Sequence, residues 1–363
     1  MQRWLWSVWK QCSHNYFNTV FFLALIFINP IQQAPPARIY AVLRDVPQDT
    51  YSLVWSPDGR WLATWNQTGV WLYDTQDFSA EPRILRNNDG ITVNTLAFHP
   101  NGDWWIRAGQ DQLSTEPDAF SVSIESFTHE QESIALVDTA RPSLQYATFG
   151  SDGNWLYWLH DGTQVARQHI ASYFVDDAEA YISAQATTDD LPYLINLMPV
   201  SSSPETAMAV VSNSSINTDR SALFCVMELV YVPENTPPTP RLCIIPQDEG
   251  ILMNPLVSSP DTLMFAASGA ERSVMIFADT RITIETNNWV SALAFSPDGE
   301  WLAFGENPGL LGFWNTQNRT QLIKQDVFRG SIRAIAFNPA NESQLATLHN
   351  GVIQIWTLNF TNP

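Results

Sequence analysis

Apolar and polar positions along this chain alternate in short runs, and the runs come in pairs around a fixed turn. Leu53-Val-Trp-Ser-Pro-Asp-Gly-Arg-Trp-Leu-Ala-Thr64, Leu96-Ala-Phe-His-Pro-Asn-Gly-Asp-Trp-Trp-Ile106 and Leu293-Ala-Phe-Ser-Pro-Asp-Gly-Glu-Trp-Leu-Ala-Phe304 are nearly one unit written three times. Each predicts a β-hairpin. Proline presets φ, Asp or Asn bonds to its own backbone, and Gly accepts the positive φ that other residues resist. Pro57, Asp58 and Gly59, like Pro297, Asp298 and Gly299, are therefore read as structural turn residues. Aromatic and β-branched flanks such as Val54, Phe98, Trp104 and Trp301 favour strands. One hairpin cannot bury its own face, so the repeat implies stacked neighbours.

Weaker copies fill the rest. Taking Pro57, Pro100, Ser151, Pro204, Pro260, Pro297 and Pro339 as equivalent gives seven units, roughly 37 to 56 residues apart. Each unit also has a later strand ending in a polar step, as in Val70-Trp-Leu-Tyr-Asp-Thr75, Leu311-Gly-Phe-Trp-Asn-Thr316 and Val352-Ile-Gln-Ile-Trp-Thr357. In this the chain resembles the WD40 and WD40-like β-propeller family, with Tyr73-Asp74, Val137-Asp138, Ala278-Asp279, Trp314-Asn315 and Trp356-Thr357 in the place of the Trp-Asp pair. The resemblance covers about residues 38–360. It implies an all-β fold: a seven-bladed propeller of four-stranded antiparallel blades over 38–363. The Gly-His pair that usually opens a repeat is missing, which implies apolar sheet-to-sheet packing in place of a His/Asp network.

The last unit supplies three strands, within 331–338, 344–348 and 352–358. The segment Arg38–Arg44, ahead of the first turn, predicts a fourth that closes the last blade. Such pairing of the termini removes an open sheet edge.

Residues 1–37 are a different material. Arg3 and Lys10 precede the apolar run Val20–Ile28, which Asn29-Pro30 ends. A basic start and a short apolar core predict a secretory signal, or an uncleaved membrane anchor with Trp4, Trp6 and Trp9 at the interface. The expected location is outside the cytoplasm, secreted or tethered to the membrane.

Net charge is −19, and Arg3 and Lys10 are the only charges in residues 1–37, so the remainder is more acidic still. That repels phosphate backbones and excludes nucleic acid as a partner. Cys225 and Cys243 flank a proline-rich loop; facing positions across a hairpin would let them form a disulfide, while buried thiols on opposite faces are the alternative.

Candidate chemistry is sparse. The six His are scattered without metal-ligand spacing, and no nucleophile elbow or phosphate-binding loop is present. The Asp-Gly pairs lack the alternating carboxylates of a calcium loop. Asp176, Asp177, Glu179, Asp189 and Asp190 form an acidic cluster read as a solvated loop, and Asn66, Asn318, Asn341 and Asn359 head glycosylation-type triplets. No cofactor, metal or catalytic residue is assigned. Two function classes remain. One is a non-catalytic scaffold binding an unidentified protein or peptide; the other is small-ligand or carbohydrate binding, or hydrolysis, at the channel mouth. The irregular stretches 108–133, 172–192 and 212–240 are where partner contacts are expected.

Overall fold

The structure is a computed structural model. It describes residues 37–359 apart from 87–91, 111–119, 127–132, 139–146, 161–163, 170–181, 188–192, 200–205, 214–222, 231–238, 245–250, 262–263, 270–271, 279 and 327–329. Side chains of 86, 110, 120–122, 133–138, 158–254 and 320–326 also lie outside the described set.

All described regular structure is β. The N-terminal strand is β1 (Ala37–Leu43). The first sheet follows as β2 (Ser52–Trp55), β3 (Trp61–Asn66), β4 (Gly69–Asp74) and β5 (Arg83–Arg86). The second is β6 (Thr95–Phe98), β7 (Trp104–Gln110), β8 (Phe120–Ser126) and β9 (Ser133–Asp138). The third is β10 (Ala147–Phe149), β11 (Trp155–His160), β12 (Gln164–His169) and β13 (Ile182–Thr187). The fourth is β14 (Tyr193–Pro199), β15 (Thr206–Asn213), β16 (Leu223–Val230) and β17 (Thr239–Ile244). The fifth is β18 (Ile251–Ser258), β19 (Phe265–Gly269), β20 (Ser273–Phe277) and β21 (Arg281–Glu285). The sixth is β22 (Val290–Phe295), β23 (Trp301–Glu306), β24 (Leu310–Asn315) and β25 (Thr320–Asp326). The last three strands are β26 (Ala334–Asn338), β27 (Asn341–His349) and β28 (Val352–Leu358).

Six of these groups are four-stranded antiparallel meanders in chain order. The last sheet runs β1-β28-β27-β26, so the N-terminal strand sits on its outer edge. Ala37 pairs with Leu358, and Leu43 with Ile353. The first strands of successive sheets pack on one another: β2 lies against β6 and β26, β22 against β18 and β26, and β10 against β6 and β14. Strand order within a sheet therefore runs from inside to outside.

The core lies between sheets. Ala63, Trp65 and Leu72 of the first sheet meet Leu96, Phe98 and Trp105 of the second. Ala266 and Ile276 of the fifth meet Leu293 and Phe304 of the sixth. Ala303 and Phe313 of the sixth meet Phe337, Leu345 and Trp356 of the last. The last sheet closes on the first through Leu348, Ile353 and Ile355 against Trp55, Leu62 and Tyr73. Burying one such side chain stabilises by about 1.5–3 kcal/mol, so the sheet-to-sheet interfaces dominate stability. Polar ties cross the same interfaces: Trp55 Nε1 donates to the Ala336 carbonyl at 3.0 Å, and Ser291 Oγ to the Ile332 carbonyl at 2.7 Å.

The packing is not wholly apolar, contrary to the expectation drawn from the missing Gly-His pairs. In the last sheet Trp356 Nε1 donates to Thr347 Oγ1 at 3.0 Å, and that hydroxyl is hydrogen-bonded to His349 Nε2 at 2.9 Å. Thr347 and His349 are fully buried. Thr347 and His349 are two apart on β27, so they share a sheet face, and period-two alternation puts both inside. The irregular stretches also contain regular structure: β8 lies within 108–133, β13 within 172–192 and β16 within 212–240. Interspersed polar residues such as Ser121 and Ser123 had masked the strand pattern there. Buried Ser123 and the ion pair Arg107–Glu125, at 2.5 Å, hold β8 against β7.

Candidate interaction surface

A four-stranded antiparallel meander has two ends. The first-to-second and third-to-fourth turns lie at one; the second-to-third turns and the connections between sheets lie at the other. These two ends differ in what they offer a partner.

The first end is occupied by the repeated turn. The Gly59 amide donates to the Ser56 carbonyl at 2.8 Å, and Gly59 takes φ = 69°. Asp58 Oδ1 accepts from Ser56 Oγ at 2.5 Å and from the Arg60 amide at 3.0 Å. Ser296, Asp298 and Glu300 repeat the pattern, with Gly299 at φ = 72°. The polar step after the third strand braces this turn. Thr75 Oγ1 donates to the Gly59 carbonyl at 2.7 Å, as Thr316 Oγ1 does to that of Gly299 at 2.8 Å. Asp74 and Asn315 cap the following backbone amides of Gln76 and Gln317. The conspicuous Asp and Thr residues are thus committed to backbone, and Pro57, Asp58, Gly59, Pro297, Asp298 and Gly299 hold turns together. No group of three His, Cys, Asp or Glu able to hold a metal occurs among the described residues.

The other end carries what does not repeat. The residue just before the innermost strand is exposed in four consecutive units: Trp289, Arg333, Tyr51 and Asn94, from the sixth, last, first and second sheets. Because those inner strands pack on one another, the four residues form an arc at the ends of neighbouring inner strands. Their identities differ where the scaffold repeats. Trp, Tyr and Arg are the residue types that dominate binding energy at protein interfaces.

The arc is held in place from behind. Tyr51 Oη donates to the Val93 carbonyl at 2.7 Å, and its ring meets Trp65 edge-on at 6.2 Å. Partial burial raises the Tyr51 pKa, so the phenol stays a donor at neutral pH. Arg333 Nη1 donates to the carbonyls of Gln48 and Thr50, bridging the last sheet to the β1–β2 connection. The Trp289 carbonyl accepts from the Asn307 amide at 2.9 Å. Just beneath, Oε2 of the fully buried Glu306 accepts from the Asn287 and Asn288 amides at 2.8 and 3.0 Å, fixing the loop that presents Trp289. Side chains fixed in advance lose less entropy on binding. Sequence reading did not find the arc, since no motif marks it; the only local signal was an aromatic immediately ahead of a repeat strand.

The other sequence candidates are dispersed. Cys225 and Cys243 are register partners across β16 and β17. The acidic cluster at 176–190 falls outside the described residues. Asn66 is buried: its Nδ2 donates to Asp49 and its Oδ1 accepts from the Thr68 and Gly69 amides. Asn318, Asn341 and Asn359 are exposed.

Residues 280–315 match the WD40 family, described as WD domain, G-beta repeat. The match begins at the outer strand β21 and takes in β22, β23 and β24, so one sequence repeat straddles two sheets. The β-propeller domain of Myceliophteria thermophila Cps50 (Swd1) is similar in structure, with a TM-score of 0.61 at 13% identity, over 89% of this chain and 100% of that chain. Comparison with curated proteins gave no match. The chain thus carries a WD40 repeat at 280–315 within an all-β, propeller-like fold of four-stranded antiparallel sheets.

Proposed function

We propose that this chain is a non-catalytic scaffold: a closed, seven-bladed WD40-like propeller that binds a protein or peptide at the Trp289–Arg333–Tyr51–Asn94 arc. The observation that carries the reading is the arc itself, exposed and non-repeating side chains at equivalent positions of a repeating frame. Seven four-stranded sheets among the described residues, and β1 paired to β28, support the closed ring. The general use of WD40 propellers as protein-binding scaffolds supports the class of partner, by analogy of fold.

The N-terminal sequence supports an exported or membrane-tethered setting. No described helix is long and apolar enough to cross a membrane, and residues 1–36 lie outside the described set. Cys225 and Cys243, opposite one another in register, would form a cross-strand disulfide in such a compartment.

Affinity capture from the native host tests the reading, using the full chain beside a Tyr51→Ala/Trp289→Ala double variant of matched thermal stability. Loss of the specifically captured protein from the variant supports it. Undiminished capture by the variant overturns it.

A further inference from the structure

The large apolar side chains exposed among the described residues fall in two places. Tyr51 and Trp289 belong to the arc; Ile39, Tyr40, Val42 and Ile84 lie on the outer strands β1 and β5. Three positions of one edge strand, Ile39, Tyr40 and Val42, are thus apolar and open, with Tyr40 as much as 65% exposed. Tyr40 is also skipped by the β1–β28 register, which pairs Ile39 with Trp356 and Ala41 with Ile355. A bulge of this kind twists an edge strand away from pairing with another strand. It argues against a second protein strand as the occupant.

Charge points to what does cover it. Residues 1–44 contain Arg3, Lys10, Arg38 and Arg44 and no Asp or Glu, in a chain of net charge −19. Arg38 and Arg44 are exposed at either end of β1. The neighbouring outer strand β5 reads Arg83-Ile-Leu-Arg86, while the nearby acids Asp45, Asp77 and Glu81 lie in the connections and not on the two strands. Tyr40 meets Phe78, in the connection leading to β5, edge-on at 6.2 Å, which joins the two outer strands into one margin. Arginine beside exposed aliphatic and aromatic side chains is the composition of a bilayer interface, where the rings sit at headgroup level and the guanidinium groups meet anionic lipid.

The reach of the chain fits. Eight residues separate the end of the apolar run at Ile28 from Ala37, so β1 begins within about 30 Å of it even when that link is fully extended. Ala37 emerges at the turn-bearing end of the sheets, because its partner is Leu358, the last residue of β28. A tether there leaves the arc at the opposite end.

We infer that the β1–β5 margin lies against an anionic lipid surface, so that the folded domain rests edge-on beside its tether. The inference rests on the tethered reading of residues 1–37. Its test uses the full chain with vesicles of phosphatidylcholine alone, or with about one-third phosphatidylglycerol, each doped with a phospholipid bearing a diazirine on its acyl chain. Flotation reports the tether; mapping of photolabel by mass spectrometry reports the margin. The expected result is flotation with label on Ile39–Arg44 and none on Trp289. An Arg38→Gln/Arg44→Gln variant should still float yet lose roughly fivefold of that label on the anionic vesicles. Flotation with label confined to residues 1–36 overturns the margin and leaves the tether. Failure to float overturns both.

Discussion

A Cβ on Gly59 would collide with Oδ1 of Asn338, the residue that opens the turn of the last unit. The clash recurs at Gly153 against His99, while Gly102 and Gly299 face Asp58 and Pro260 at ordinary contact distance, each glycine against the turn of the unit before it. His99 Nε2 and the Gly153 carbonyl are 2.9 Å apart, so the contact is polar as well as steric. Glycine at 59 and 153 therefore supplies both a positive φ and a gap for the neighbouring turn, whereas at 102 and 299 it supplies the positive φ.

The two requirements separate by substitution. Gly299, at φ = 72°, has only Pro260 Cδ, 3.6 Å from a built Cβ, so Gly299→Ala should cost about 1 kcal/mol from backbone strain. Gly59→Ala adds the Asn338 clash and should cost about 2–3 kcal/mol. Denaturant unfolding of both variants measures the difference. Equal losses would show that the turn-to-turn contact adds nothing.

The pairing of β1 with β28 predicts a specific cross-link. Arg38 and Thr357 are register partners and both are exposed. An Arg38→Cys/Thr357→Cys variant should form an intramolecular disulfide on oxidation, identified by peptide mapping. Because it closes almost the whole chain, it should stabilise by about 5 kcal/mol. Only intermolecular cross-links, or none, would place β1 elsewhere.

Acid should weaken the last sheet. Burial pushes the His349 pKa down to about 4, against an opposing hydrogen bond from Gln354. The unfolded chain takes up that proton near the ordinary value of 6.5, so stability is flat above pH 6.5 and falls as pH drops from there to about 4. The fall attributable to His349 is on the order of 2–3 kcal/mol. Thermal melts across that window should show a shallower decline for His349→Asn than for the parent. A parallel decline would mean that other groups carry it.

Glu306 gives a test confined to the loop beneath Trp289. Glu306→Ala strands the Asn287 and Asn288 amides and should destabilise by about 2–3 kcal/mol, while Glu306→Gln retains an acceptor and should lose less. Hydrogen exchange at those two amides should rise in the alanine variant. Unchanged exchange would show that the carboxylate does not hold the loop.

The frame was legible because its signals are local. Pro-Asp-Gly chemistry marks each hairpin wherever it stands, and counting strands after Ser331 left one missing that Arg38–Arg44 could supply. β8 and β13 were harder, since serine and other polar residues interrupt their patterns. The Trp356–Thr347–His349 chain was missed although Thr347 and His349 alternate on one strand face; nothing local says that the face is buried in a neighbouring sheet. The arc was invisible for the opposite reason. Tyr51, Asn94, Trp289 and Arg333 share a position but no common side chain, and only the assembled inner strands bring them together.

The most direct test of the scaffold reading places a photo-cross-linking benzoylphenylalanine at Trp289, and separately at exposed Gln317 beside the repeated turns, in the full chain expressed in its host. The account predicts that irradiation yields a discrete protein adduct from position 289, that Arg333→Ala diminishes it, and that position 317 yields none. The same adduct from both positions, or from 317 alone, would contradict it.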